Sequence, residues 1–205
     1  MSSIPYSISK VNMKRTILFL CILMMSGSVA SAVAPVKSNR LGTEDISVMS
    51  FEIGKAARDR EENRWEDRLR AVVEMVNDET PAVLALQECM AEQKEDLDRL
   101  LPDYVSFGRG VHDGRLGGPM NAVYYRRDCL KRERSGCFWY SETPDRPKTR
   151  FACAQQNCCA TWAVFTLVSS GRRFFLVNTS LDYKSEEARA LQGWMILEKI
   201  DEYGK

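Results

Sequence analysis

The chain is poor in the groups that usually announce chemistry. Of its 205 residues one is histidine, His112, so a site built from several imidazoles is excluded. No C-x-x-C pair occurs among the seven cysteines, which removes the common tetrahedral zinc patterns. Lys plus Arg number 29 and Asp plus Glu 28, for a net charge of +1. No global field of one sign therefore draws the chain to nucleic acid or a membrane surface, although a local basic patch can still hold phosphate. The longest apolar run is too short to span a bilayer comfortably, and repeats and low-complexity segments are absent. With 44 % apolar and 28 % charged residues, one globular domain of ordinary size is expected and disorder is not.

What is present begins with an address. Lys14 and Arg15 precede an apolar run over 17–25, followed by Ser26, Gly27 and Ser28 and then Ala30-Ser31-Ala32. A positive stretch, a short apolar core and an A-x-A site define a secretory signal peptide over 1–32, with Met13 as an alternative start. The expected location is therefore exported, periplasmic or extracellular. Residues 33–45 read as a flexible lead-in and 46–205 as the domain. Six cysteines remain after the leader: Cys89, Cys129, Cys137, Cys153, Cys158 and Cys159. Export ranks disulfides first for them, free thiols second and a zinc site third. Adjacent Cys158 and Cys159 are poor partners for each other, because a vicinal bridge strains the peptide between them.

Residues 46–53 are β-branched and aromatic enough to predict a strand. Trp65, Leu69, Val72, Val73 and Val76 recur at helical spacing with charged residues between them, and Pro81 ends that helix. Residues 83–86 are nearly all apolar, as in a strand covered on both faces. Residues 90–101 read as a second helix, closed by Pro102. Strand, helix, strand, helix points to an α/β layer. From Tyr104 strands take over, at 104–108, 122–126 and 137–140. Residues 161–168 then alternate, with Trp162, Val164 and Thr166 opposite Ala163, Phe165 and Leu167, and 174–178 follow after a turn. Ser185 is an N-cap for a last helix carrying Leu191, Trp194, Leu197 and Ile200. Glu52 and Glu88 each end an apolar strand. As neighbours in one sheet they emerge at one edge, where a divalent metal can sit.

Ser50-Phe51-Glu52, Leu86-Gln87-Glu88, Tyr124-Tyr125-Arg126, the segment 138–144, Ala160-Thr161-Trp162-Ala163 and Asn178-Thr179-Ser180-Leu181-Asp182 follow one another in a telling order. It resembles the endonuclease/exonuclease/phosphatase superfamily, related to DNase I, and most closely its exported bacterial branch. The similarity runs over 46–200; single motifs are weak signals, and six in order are specific. The resemblance implies an α/β fold, the DNase I-like four-layer α/β/β/α sandwich, here lacking its C-terminal strands. It implies hydrolysis of phosphate mono- or diesters with Mg2+ or a similar divalent cation, which polarises the phosphoryl group and offsets charge on the leaving oxygen.

Residue by residue, Glu88 matches the family's metal-binding glutamate, and Glu52 stands where the family usually has Asn but keeps an oxygen ligand. Asp182 matches a motif carboxylate and is the candidate catalytic residue. Asn121, Tyr125 and Asn178 match positions in or near the site and are the candidate substrate-binding residues. Ser180 replaces the family's catalytic His, and Ser cannot act as a proton donor or cationic clamp near neutral pH. Tyr183 stands where a second His is frequent in this branch, and Asn157-Cys158-Cys159 replaces a segment that often carries Arg. The later motifs G-D-F-N and S-D-H do not occur. His112, in a Gly-rich loop, reads as a surface residue. The resulting expectation is a phosphate-ester substrate, impaired hydrolysis, no strong nucleic-acid or membrane signal and no stable oligomer. A non-catalytic binding protein is the alternative. Lacking its last strands, the domain is expected to leave sheet edges and apolar surface uncovered, giving poor solubility or dependence on a partner.

Overall fold

The computed structural model describes residues 7–12, 18–22, 45–54 and 64–204. Residues 33–44 of the lead-in, residues 55–63 and most of the expected signal peptide lie outside the described residues. The elements are β1 (Ser7–Asn12), β2 (Leu18–Ile22), β3 (Asp45–Glu52), α1 (Trp65–Glu79), β4 (Val83–Gln87), α2 (Ala91–Leu100), β5 (Tyr104–Phe107), β6 (Val123–Arg126), β7 (Leu130–Trp139), β8 (Cys159–Leu167), β9 (Arg173–Ser180) and α3 (Glu186–Tyr203). They form two sheets, in the orders β1-β3-β4-β6-β5 and β2-β9-β8-β7.

Three apolar interfaces make the four layers. Met49, Phe51, Leu84, Leu86 and Tyr124 on the outer face of the first sheet meet Trp65, Val72 and Val76 of α1 and Leu97 of α2. Val48, Val83, Val123 and Tyr125 of the same strands face the second sheet through Ala163, Phe165, Phe174 and Leu176. Trp162, Val164, Phe175 and Val177 then cover Ile196 and Ile200 of α3. Period-two side-chain alternation lets one strand serve two interfaces: on β4, Val83 faces the other sheet and Leu84 and Leu86 face the helices. The expected alternation on β8 holds for Trp162 and Val164 against Ala163, Phe165 and Leu167.

Two expectations need correction. The charged stretch before residue 137 extends the strand predicted at 137–140 back to Leu130. β7 is the edge of its sheet, where Lys131, Glu133 and Arg134 stay in water and discourage pairing with other chains. On α3 the expected apolar residues are largely outside the core: Trp194 is 68 % exposed, and Leu191 and Leu197 are exposed as well. Ile200 is buried as expected, and with it the helix buries Ala188, Gln192 and Ile196, an i, i+4 row that meets the sheet. Gln192 is taken inward because its Oε1 accepts the Asp182 N–H at 2.9 Å.

β3 and β4 are parallel, joined through α1, and Glu52 stands opposite Gln87 in their register. Glu52 and Glu88 thus emerge at one sheet edge. The backbone of β1 lies antiparallel on β3, and that of β2 lies parallel on β9. Loss of residues 1–32 would uncover both edges.

Candidate active site

The site lies where the two sheets end together. After β4 the chain passes through Glu88 in the left-handed region, φ 59°, a conformation that costs a non-glycine residue about 1–3 kcal/mol. Pairing holds it there. Leu86 N–H donates to Ala122 O at 2.8 Å, and Cys89 and Met120 exchange backbone hydrogen bonds at 3.1 and 2.7 Å. Glu88 is therefore a kink between two paired residues, and it lines a cavity of about 370 Å³. Asn121 from just before β6, Ser180 from the end of β9, Asn157 and Cys158 from the loop before β8, and His112 complete much of the wall.

Asn121 connects the sheets across this cavity. Its Nδ2 donates to Cys159 O at 2.8 Å, and its Oδ1 accepts from Ser180 Oγ at 3.0 Å. Ser180 thus occupies its position as a short hydrogen-bonding residue, with no group that titrates near neutrality.

Asn178 has a different role from the one expected. It is fully buried, its Nδ2 donates to Leu86 O and Ala122 O at 2.9 Å each, and its Oδ1 accepts Gln87 Nε2 at 2.7 Å. With donors and acceptor engaged it clips one sheet to the other and has nothing left for a substrate. Tyr125 also moves out of the substrate-binding set. It packs between the sheets, 5.0 Å from the Phe165 ring and 6.3 Å from that of Phe107, and does not line the cavity. Of the three expected substrate contacts, Asn121 alone reaches it.

Asp182 is likewise not placed as a base. Its carboxylate is buried, with Oδ2 accepting Gln155 N and Gln156 N at 2.7 and 3.1 Å and Oδ1 accepting Lys184 N and Ser185 N at 2.9 Å each. Burial raises its pKa, but these backbone hydrogen bonds outweigh burial and hold it below the usual carboxylate value. Asp182 shapes the site from outside: it fixes the loop whose Gln156, Asn157 and Cys158 form one wall and anchors the start of α3.

The six thiols are free, contrary to the expected disulfides. Burial pushes Cys89 and Cys158 up to about 12 and Cys159 well above its ordinary value, so thiolate chemistry in the cavity is suppressed. His112 is exposed, as expected of a surface residue, yet it stands on the cavity wall. Sequence reading missed that placement and the role of Gln156, since both come from loops with no periodic signal.

The residues fit a hard divalent cation and do not fit a closed zinc cage. Among the described residues no group of three His, Cys, Asp or Glu is placed to hold a metal. Magnesium asks less of a protein: one or two carboxylates, with waters and substrate phosphate completing the shell. Glu88 lines the cavity and Glu52 ends the neighbouring strand, so these two are the carboxylates that would hold such a cation.

By fold and motif order the chain is of the endonuclease/exonuclease/phosphatase, DNase I-like class. It is similar to an endonuclease/exonuclease/phosphatase from Bacteroides vulgatus at 31 % identity and a TM-score of 0.76, over 78 % of this chain and 61 % of that one. A mannosyl-6-phosphatase from Bacteroides thetaiotaomicron is similar at 29 % identity and a TM-score of 0.73, over 77 % and 60 % of the two chains. A family protein from the same organism matches at 29 % and 0.73, over 77 % and 58 %. The chain thus spans about three fifths of the length of these structures. No family model and no curated protein sequence matches it.

Proposed function

We infer that the cavity takes a phosphate ester together with a divalent cation, and that this chain is a phosphoesterase-class protein with impaired hydrolysis. The observation that carries the reading is the convergence of Glu88, Asn121 and Ser180 on one cavity at the common end of both sheets. Glu88, with Glu52 behind it, would hold the cation, and a cation there offsets phosphate charge and polarises the phosphoryl group. Asn121 is held in place by Cys159 O and Ser180, so its position on the wall is set before any ligand arrives. Ser180 accounts for the impairment: acid–base assistance contributes about 10²–10⁴ in rate, and a hydroxyl cannot provide it. The similarity to a protein named as a mannosyl-6-phosphatase makes phosphorylated sugars the first substrates to assay. Export of a monomeric domain after signal-peptide removal completes the proposal, supported by Lys14, Arg15 and the apolar run after them.

The test is binding and turnover of a nitrophenyl phosphate and a hexose 6-phosphate with and without Mg2+. Expected are Mg2+-dependent binding that disappears in Glu88→Ala and turnover far below the ordinary enzymic range of about 1–10³ s⁻¹. Absence of metal-dependent binding would sink the reading, and turnover inside that range would refute the impairment.

A further inference from the structure

We propose that His112 is the phosphate-contacting side chain of this cavity, a binding contact made from the Gly-rich loop and separate from the acid–base role that position 180 lacks. The proposal rests on the phosphate-ester reading above. Among the described residues lining the cavity, Glu88 is the one carboxylate and His112 the one side chain able to carry positive charge. A phosphate ester entering beside Glu88 brings one or two further negative charges, and among the described lining residues His112 is the side chain that can answer them. A neutral imidazole donates one N–H, and an imidazolium donates two.

The loop is built to present that ring. Val111, just before it, is buried and tied on both sides: its O accepts Trp139 Nε1 at 2.8 Å, and its N–H donates to Pro119 O at 3.1 Å. His112 N–H donates to Gly117 O at 3.0 Å. The ring lies over Gly118, which sits at φ +82°; a Cβ there would come within 2.7 Å of His112 Nδ1. Only glycine fits both that backbone and that approach. The adjacent Asp113 carboxylate is occupied within the loop, where Oδ1 accepts Arg115 N and Gly117 N at 2.8 Å each. Neither ring nitrogen of His112 has a hydrogen-bond partner among the described residues, which leaves both for a ligand.

A single histidine makes the test direct, because every imidazole C–H signal in the NMR spectrum belongs to residue 112. Inorganic phosphate is titrated into the full chain with Mg2+ present, and calorimetry gives its affinity in parallel. Expected are a saturable shift of the His112 signals and at least a tenfold weaker phosphate affinity in His112→Ala, the scale of a lost charge-assisted hydrogen bond. Phosphate binding that leaves those signals still, with unchanged affinity in the variant, would overturn the role of His112 while the phosphate-ester reading stands. No phosphate binding to the wild-type chain would overturn both. The NMR arm decides the matter even if the variant folds poorly.

Discussion

Ser180 Oγ donates to Asn121 Oδ1 across 3.0 Å, and that contact joins the two sheets at the mouth of the cavity. Where the superfamily places a catalytic imidazole on one sheet, this chain places a hydroxyl that spends its hydrogen on an amide of the other. The exchange turns a chemical position into a structural one, and several outcomes follow from treating its neighbours the same way.

Asn178→Ala is expected to cost about 3 kcal/mol of stability. It removes three buried hydrogen bonds between the sheets, taking one partner each from the Gln87 amide, Leu86 O and Ala122 O, and a typical buried hydrogen bond is worth about 1 kcal/mol net. Urea unfolding measures it. A loss under 1 kcal/mol would show that the clip is dispensable.

Asp182 sets an acid limit on folding. Its folded pKa lies below the ordinary value, so its contribution is fully present above the unfolded-state pKa of about 3.9 and is lost as pH falls through the depressed folded value. Asp182→Asn places an NH₂ group against backbone N–H donors, with an expected cost of about 2 kcal/mol at pH 7 and a shallower loss of stability in acid. Unfolding curves from pH 7 down to pH 2 check both, and an unchanged acid slope would count against this role.

Glu88→Gly separates stability from function. Glycine adopts φ 59° without the penalty that Glu88 bears, so the variant is expected to gain about 0.5–1 kcal/mol after glycine's greater unfolded-state entropy is counted. The same variant should lose Mg2+-dependent phosphate binding. A less stable variant that still binds metal would contradict both halves.

The cysteines offer a labelling test. Cys89 and Cys159 are almost wholly inaccessible and Cys153 is partly exposed, so brief alkylation of the native chain at pH 8 should mark Cys153 well before the buried pair. Mass spectrometry of the peptides reads the order. Rapid labelling of Cys89, or a native disulfide among the six, would be inconsistent with this core.

Much of the fold was legible in one dimension. The β4 run could be read because a strand covered on both faces must be apolar throughout, and β8 because its two faces meet two different layers. α1 could be read from its spacing and from Thr80-Pro81, where Thr80 enters the left-handed region and donates to Val76 O at 2.9 Å. β7 escaped because an edge strand keeps its charges in water, so Lys131, Glu133 and Arg134 hid the alternation. α3 showed the wrong stripe: Trp194 was the loudest apolar residue, while the sheet accepted the row containing Ala188 and Gln192.

For the site, local sequence determined the residue types and the strand ends: carboxylates at 52 and 88 on parallel neighbours, a hydroxyl at 180, and one imidazole in the whole chain. Tertiary structure decided what each of them is for. Burial between two sheets made Asn178 a clip and Tyr125 a core residue, and four converging backbone N–H groups made Asp182 an anchor. A glycine-floored loop brought His112 to the cavity that Glu88 lines. Side-chain type sets what a group can donate or accept, but its partners come from segments many residues away, and only packing chooses them.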